Sequence, residues 1–192
     1  MHHLPAVFRT VLFAGSVFLS LGAAAASSDE MKGAYIDFGR TPSGSNNTDS
    51  LTAGLVVPAL MAPRPMWGGV MTFYWDFFLS AWRAPEPPNG ADKKNYAQIG
   101  GIGNFRYRFG EGQSPWFVEA GLGGTVTDSL YRTPDRQFTT AFQFTEQLSV
   151  GRSFGAAREH ELSLRIQHFS NGGIKEPNPG ENFVRVRYLY RF

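Results

Sequence analysis

The chain has 192 residues, a net charge of +2 and no cysteine. That length suits a single domain, and the missing thiols exclude disulfides, zinc fingers and thiol chemistry. The near-neutral balance, with arginines dispersed over several segments, does not make a nucleic-acid face.

The chain opens with a basic start (His2, His3, Arg9), an apolar run from Val11 to Leu21 and a small-residue stretch from Gly22 to Ala26. This is the three-part layout of a secretory signal peptide over residues 1–26, with cleavage after Ala26. Beyond it, no stretch approaches the ~20 apolar residues of a spanning helix. Yet aromatics make up 15% of the chain and glycine occurs 22 times. That combination predicts an all-β domain over 27–192, an outer-membrane β-barrel whose residues alternate between lipid and interior.

Period-two patterning, broken by Gly, Pro, Asn and Asp clusters, predicts eight strands near 32–40, 51–58, 69–82, 95–109, 116–128, 138–151, 160–169 and 183–192. An even count lets an antiparallel barrel close with no free edge. With the N-terminus in the periplasm, the connections near 41–50, 83–94, 129–137 and 170–182 lie outside. Those near 59–68, 110–115 and 152–159 lie inside. The Pro-rich stretch 59–68 is long for an inner turn, and the pattern gives no account of it.

The last strand alternates most clearly. Val184, Val186, Tyr188, Tyr190 and Phe192 share one face, and Arg185, Arg187 and Arg191 the other. The expected inward set includes Asp37, Asp76, Arg106, Glu119, Arg165, Arg185 and Arg187. An eight-stranded interior is just wide enough for side chains, so these charges are expected to pair and fill it rather than line a pore.

Two histidines follow the signal segment. His160 falls in a predicted inner turn and reads as solvated. His168 continues the outward face of Leu162, Leu164 and Ile166, and Ser170 has the same facing. A serine beside an imidazole is the minimal nucleophile–base pair for ester hydrolysis. On the preceding predicted strand, Glu146 shares the outward parity of Phe144 and Leu148. It falls opposite His168 if paired residue numbers sum to about 314.

The stretch His168-Phe169-Ser170-Asn171-Gly172-Gly173-Ile174-Lys175-Glu176-Pro177-Asn178-Pro179-Gly180 resembles the signature of the lipid A 3-O-deacylase family of PagL type. The resemblance implies an esterase on the outer wall of the barrel, acting on the ester-linked 3-hydroxyacyl chain at the 3-position of lipid A. It implies Ser170 as nucleophile, His168 as general base, and Asn171, Gly172 and Gly173 as the segment supplying oxyanion contacts. It also implies a carboxylate twelve residues after the serine, where this chain has Asn182. Glu181 stands first for that role, Asn182 next and Glu146 third. The resemblance allows a homodimer and calls for no cofactor.

Arg132, Arg136, Lys93, Lys94 and Lys175 populate the predicted outer loops, either as phosphate contacts or as ordinary solvated charge. Gly-Gly pairs at 68–69, 100–101 and 123–124 read as strand kinks, and no metal-ligand cluster is apparent. Two other function classes fit a small barrel. One is a non-catalytic barrel acting in adhesion or envelope stability. The other is a lipid A acyltransferase, which would want His168 and Ser170 facing inward.

Overall fold

Alternation decides which way each side chain faces, and here it runs opposite to that of a water-soluble sheet. Along Glu181–Arg191, Phe183, Arg185, Arg187, Leu189 and Arg191 are buried, whereas Val184, Val186, Tyr188 and Tyr190 are exposed. Charges inside and apolar groups outside is the pattern of a transmembrane barrel. The structure, a computed structural model, describes residues 31–42, 47–88, 90 and 92–192. The expected signal peptide, 1–26, lies outside the described residues.

The strands are β1 (Gly33–Arg40), β2 (Asp49–Pro58), β3 (Arg64–Met66), β4 (Gly69–Pro85), β5 (Lys93–Phe109), β6 (Trp116–Thr127), β7 (Phe142–Phe154), β8 (His160–Ser170) and β9 (Glu181–Arg191). Each pairs antiparallel with its neighbour. β1 joins β9, and β2 joins β4, so eight long strands close into a barrel. Crossing the ladder from Val70 through Arg108, Phe117, Gly151, Ser163, Arg187, Asp37 and Thr52 returns to β4 at Ser80, ten residues from the start. A stagger of that size tilts the strands by about 40°.

Two segments depart from the expected pattern. The Pro-rich stretch contains β3, which pairs with the start of β4 and turns at Trp67 and Gly68, both at positive φ. The expected strand 138–151 begins only at Phe142. Phe138 keeps strand-like parity, but its ring packs on Tyr131, with centroids 4.9 Å apart. Its N–H donates to the Tyr131 carbonyl, which folds this stretch into the preceding loop.

The expected inward charges are all buried and paired. Glu119 accepts from Arg106, Arg165 (3.0 Å), Tyr74 (2.6 Å) and Ser149 (2.7 Å). Arg106 also pairs with Glu161, at 2.7 Å. Asp37 takes Arg185 and Arg187, and Asp76 takes Arg187 and Tyr35. Removing one partner strands the others without water, at a cost of about 3–5 kcal/mol. Glu119→Ala is therefore expected to lower the urea midpoint of unfolding in bilayers markedly. Leu148→Ala, on the lipid-facing wall, is expected to change it far less.

The connections after β1, β4, β6 and β8 gather at one end, and the β3 hairpin with the turns after β5 and β7 at the other. The end with longer connections is the outer one in barrels of this type. Beneath it lies a buried aromatic plug of Trp82, Tyr96, Tyr131, Phe138, Phe169 and Phe183. Trp82 lies 4.9 Å from Phe169 and 4.7 Å from Phe183, ring centre to ring centre. Phe169 and Phe183 alternate with His168, Ser170 and Asn182. The plug thus backs the strand ends that carry them.

Candidate active site

β8 places His168 and Ser170 on the outer wall, either side of the fully buried Phe169. Two residues along a strand are about 7 Å apart at Cα, within reach of an imidazole leaning along the strand. Among the described residues the ring's one hydrogen bond runs across the ladder, not to Ser170. Nδ1 of His168 lies 2.7 Å from Oδ1 of Asn182, its cross-strand partner on β9. An amide oxygen only accepts, so Nδ1 carries the proton and Nε2 is left as the basic nitrogen.

The adjoining Cε1–Nε2 edge of the ring lies against Gly180. A Cβ there would lie 2.8 Å from Cε1 and 3.3 Å from Nε2 of His168. Gly180 has φ +61°, and it stands one step beyond the last β8–β9 pair, Phe169 with Glu181. That step is level with Ser170. Glycine here leaves room for the imidazole to lean from its own row toward the serine's row.

Glu146 lies directly across from His168 on β7, so the condition that paired numbers sum to 314 is met. It is exposed and makes no hydrogen bond or ion pair to the described residues. Glu181, ranked first for the acid role, corrects that expectation. It is 4% exposed and faces the interior, sharing parity with Phe183 and Arg185. Its Oε2 accepts from Tyr131 at 3.1 Å and lies 3.6 Å from Arg136 Nε. Burial, and then this carboxylate, push the Tyr131 hydroxyl above its ordinary range, so it stays protonated as the donor. Thr48 in turn lies 2.6 Å from the Tyr131 oxygen.

The turn after Ser170 also differs from expectation. Asn171 is buried and binds its own loop. Its N–H donates to Asn178 Oδ1 (3.0 Å), and its Nδ2 donates to the Lys175 carbonyl (2.7 Å) and to Thr139 (3.1 Å). The Gly173 N–H donates to Asn171 Oδ1 at 2.9 Å. Asn171 and Gly173 therefore spend their N–H groups on building the turn. Gly172, exposed at φ +65°, keeps an N–H without a partner among the described residues. Sequence reading missed Asn178, whose Oδ1 is fixed as acceptor while its Nδ2 stays unpartnered among the described residues.

Among the basic loop residues, Arg136 is not solvated charge. Its Nη1 donates to the carbonyls of Pro179 (3.1 Å) and Gly180 (2.9 Å). Lys93 donates to the Asn47 carbonyl, and Lys94 lies over the Tyr96 ring. Arg132 and Lys175 are exposed. His160, expected to be solvated, instead opens β8. It lies between Phe154 and Tyr190 and hydrogen-bonds Tyr188 at 2.7 Å. Among the described residues no cluster of His, Asp and Glu is arranged to hold a metal.

The family model described as Lipid A 3-O-deacylase (PagL) matches residues 56–191. The chain belongs to this family. It is 40% identical over 95 residues to Lipid A deacylase PagL of Bordetella bronchiseptica, covering 50% of each chain. It is 29% identical over 112 residues to Lipid A deacylase PagL of Pseudomonas aeruginosa, covering 58% of this chain and 60% of that one. The matched stretches thus span between half and three-fifths of those relatives. The fold resembles the crystal structure of the outer membrane enzyme PagL, with a TM-score of 0.62 and 24% identity over 82% of this chain and 99% of that one. The match to the PagL family takes in the whole His168–Asn182 constellation.

Proposed function

We propose that this PagL-family chain is an outer-membrane esterase, exported by the signal peptide at 1–26, that hydrolyses the ester-linked 3-hydroxyacyl chain at the 3-position of lipid A. The observation that carries the proposal is the His168 ring, held at Nδ1 by Asn182 and leaning over Gly180 toward Ser170 on the membrane-facing wall. Substrate embedded in the outer leaflet reaches such a site laterally, with no channel. An acyltransferase centre inside the barrel has no counterpart here, because His168 and Ser170 both face out.

In the proposed reaction, Ser170 Oγ attacks the ester carbonyl while His168 Nε2 takes its proton. The bond to the sugar oxygen breaks, and His168 returns the proton to that oxygen. Water, activated by the same nitrogen, then releases the fatty acid and restores Ser170. Two donors that the turn leaves unspent, Gly172 N–H and Asn178 Nδ2, are assigned to the developing oxyanion. Asn182 orients the imidazole but carries no charge. Glu146, about 5 Å away across the ladder, supplies the negative charge that favours the imidazolium.

Purified protein in detergent micelles, given lipid A, is expected to release one 3-hydroxy fatty acid per molecule, detected by mass spectrometry. Absence of release from folded protein would overturn the proposal. Losing one oxyanion donor costs on the order of 10²-fold in turnover. Asn178→Ala is expected to show that loss in kcat with little change in KM, and an unchanged kcat would remove Asn178 from the mechanism.

A further inference from the structure

We propose that Arg136 is a positioning residue for this site, reaching from the β6–β7 loop to clamp the entry of β9 on which His168 is seated. The inference rests on the esterase reading above.

One guanidinium holds three consecutive residues. Arg136 Nη1 donates to the carbonyls of Pro179 and Gly180, and Nε lies 3.6 Å from the Glu181 carboxylate. Two of the held residues, Gly180 and Glu181, bear on the imidazole. Gly180 is the surface against which the Cε1–Nε2 edge rests. Glu181 accepts the N–H of Asn182, at 3.0 Å, and Asn182 holds Nδ1. Glu181 is itself fixed from below by Tyr131, which comes from the same β6–β7 loop.

That loop grips the 171–180 connection a second time. Thr139 Oγ1 reaches the carbonyls of Lys175 (2.9 Å) and Pro177 (3.3 Å) and accepts from Asn171 Nδ2. Thr139 and Arg136 together brace both ends of the segment between Ser170 and Asn182. Inward-facing Glu181 takes its place here as an anchor for the clamp. Arg136 touches none of the reacting atoms and acts through Gly180 and Asn182.

Misplacing a reacting group by about 1 Å costs on the order of 10²-fold in rate. Arg136→Ala is expected to lower kcat by about 10- to 100-fold while KM stays within about 3-fold. Added methylguanidinium is expected to restore part of the lost rate, and Arg136→Lys to retain an intermediate rate. A readout without turnover is the proton resonance of His168 Nδ1 bound to Asn182, which is expected to be sharp in the parent protein and broadened or lost in Arg136→Ala. Unchanged kcat with an unchanged resonance would overturn the clamp. So would a raised KM at constant kcat, which would make Arg136 a direct substrate contact. If Arg136→Ala fails to fold as a heat-modifiable barrel, Arg136→Lys and Glu181→Gln decide by the same two readouts. If the parent protein hydrolyses nothing, the esterase reading fails, and the resonance still tests the clamp.

Discussion

Ser170→Ala is expected to lower ester hydrolysis by about 10³-fold or more while leaving the barrel folded. The hydroxyl is on the lipid-facing wall, half-exposed, and makes no side-chain hydrogen bond to the described residues. Its removal opens no cavity and strands no buried partner, so heat-modifiable migration should be that of the parent. His168→Ala is expected to match it in rate loss. It frees the Asn182 amide, but at an exposed position where water can replace the imidazole. The double variant should be no slower than either single one, because nucleophile and base act as a unit. Retained activity in either single variant would sink the Ser–His mechanism, and additive losses would mean that the two residues act separately.

Gly180→Ala is expected to produce the largest effect of any substitution that leaves every reacting group in place. An added Cβ would meet His168 Cε1 at 2.8 Å, closer than side chains tolerate. The backbone at φ +61° adds a second cost, about 1 kcal/mol for a residue other than glycine. The ring must then swing away from the Ser170 row or break its bond to Asn182. A displacement near 1 Å predicts a fall in kcat of about 10²-fold. Substrate affinity is expected to hold, since the wall around the site is unaltered. A Gly180→Ala variant with unchanged kcat would show that the lean of the imidazole plays no part in catalysis.

How much of this was legible in the sequence depended on whether the information was local. Period-two alternation placed the strands, the inward charges, and His168 and Ser170 on one wall. It left the β7–β8 register as a condition, a pairing sum of about 314, and the observed ladder meets it with Glu146 across from His168. The β3 hairpin was hidden because proline at 63 and 65 erases the alternation that marks a strand. Glu181 was misplaced because the need for a carboxylate outweighed its parity. Position 181 shares the inward face of Phe183 and Arg185, so the alternation itself pointed to the interior. What no strand pattern contains is the partner set that holds it there. Tyr131 and Arg136 arrive from a loop some fifty residues earlier in the chain. The same holds for Phe138 and Thr139, whose contacts form only when two loops fold together. Asn182 shows the opposite case. Its role as the Nδ1 partner follows from register and parity alone, once the β8–β9 ladder is drawn.

The central claim is tested most directly by mass spectrometry of lipid A from Gram-negative cells expressing this chain or its Ser170→Ala variant. The account predicts that the parent chain removes one 3-hydroxyacyl group from the 3-position, and that lipid A from cells with the variant is unchanged. Unaltered lipid A in cells carrying a folded parent chain would contradict it, as would the same acyl loss with Ser170→Ala.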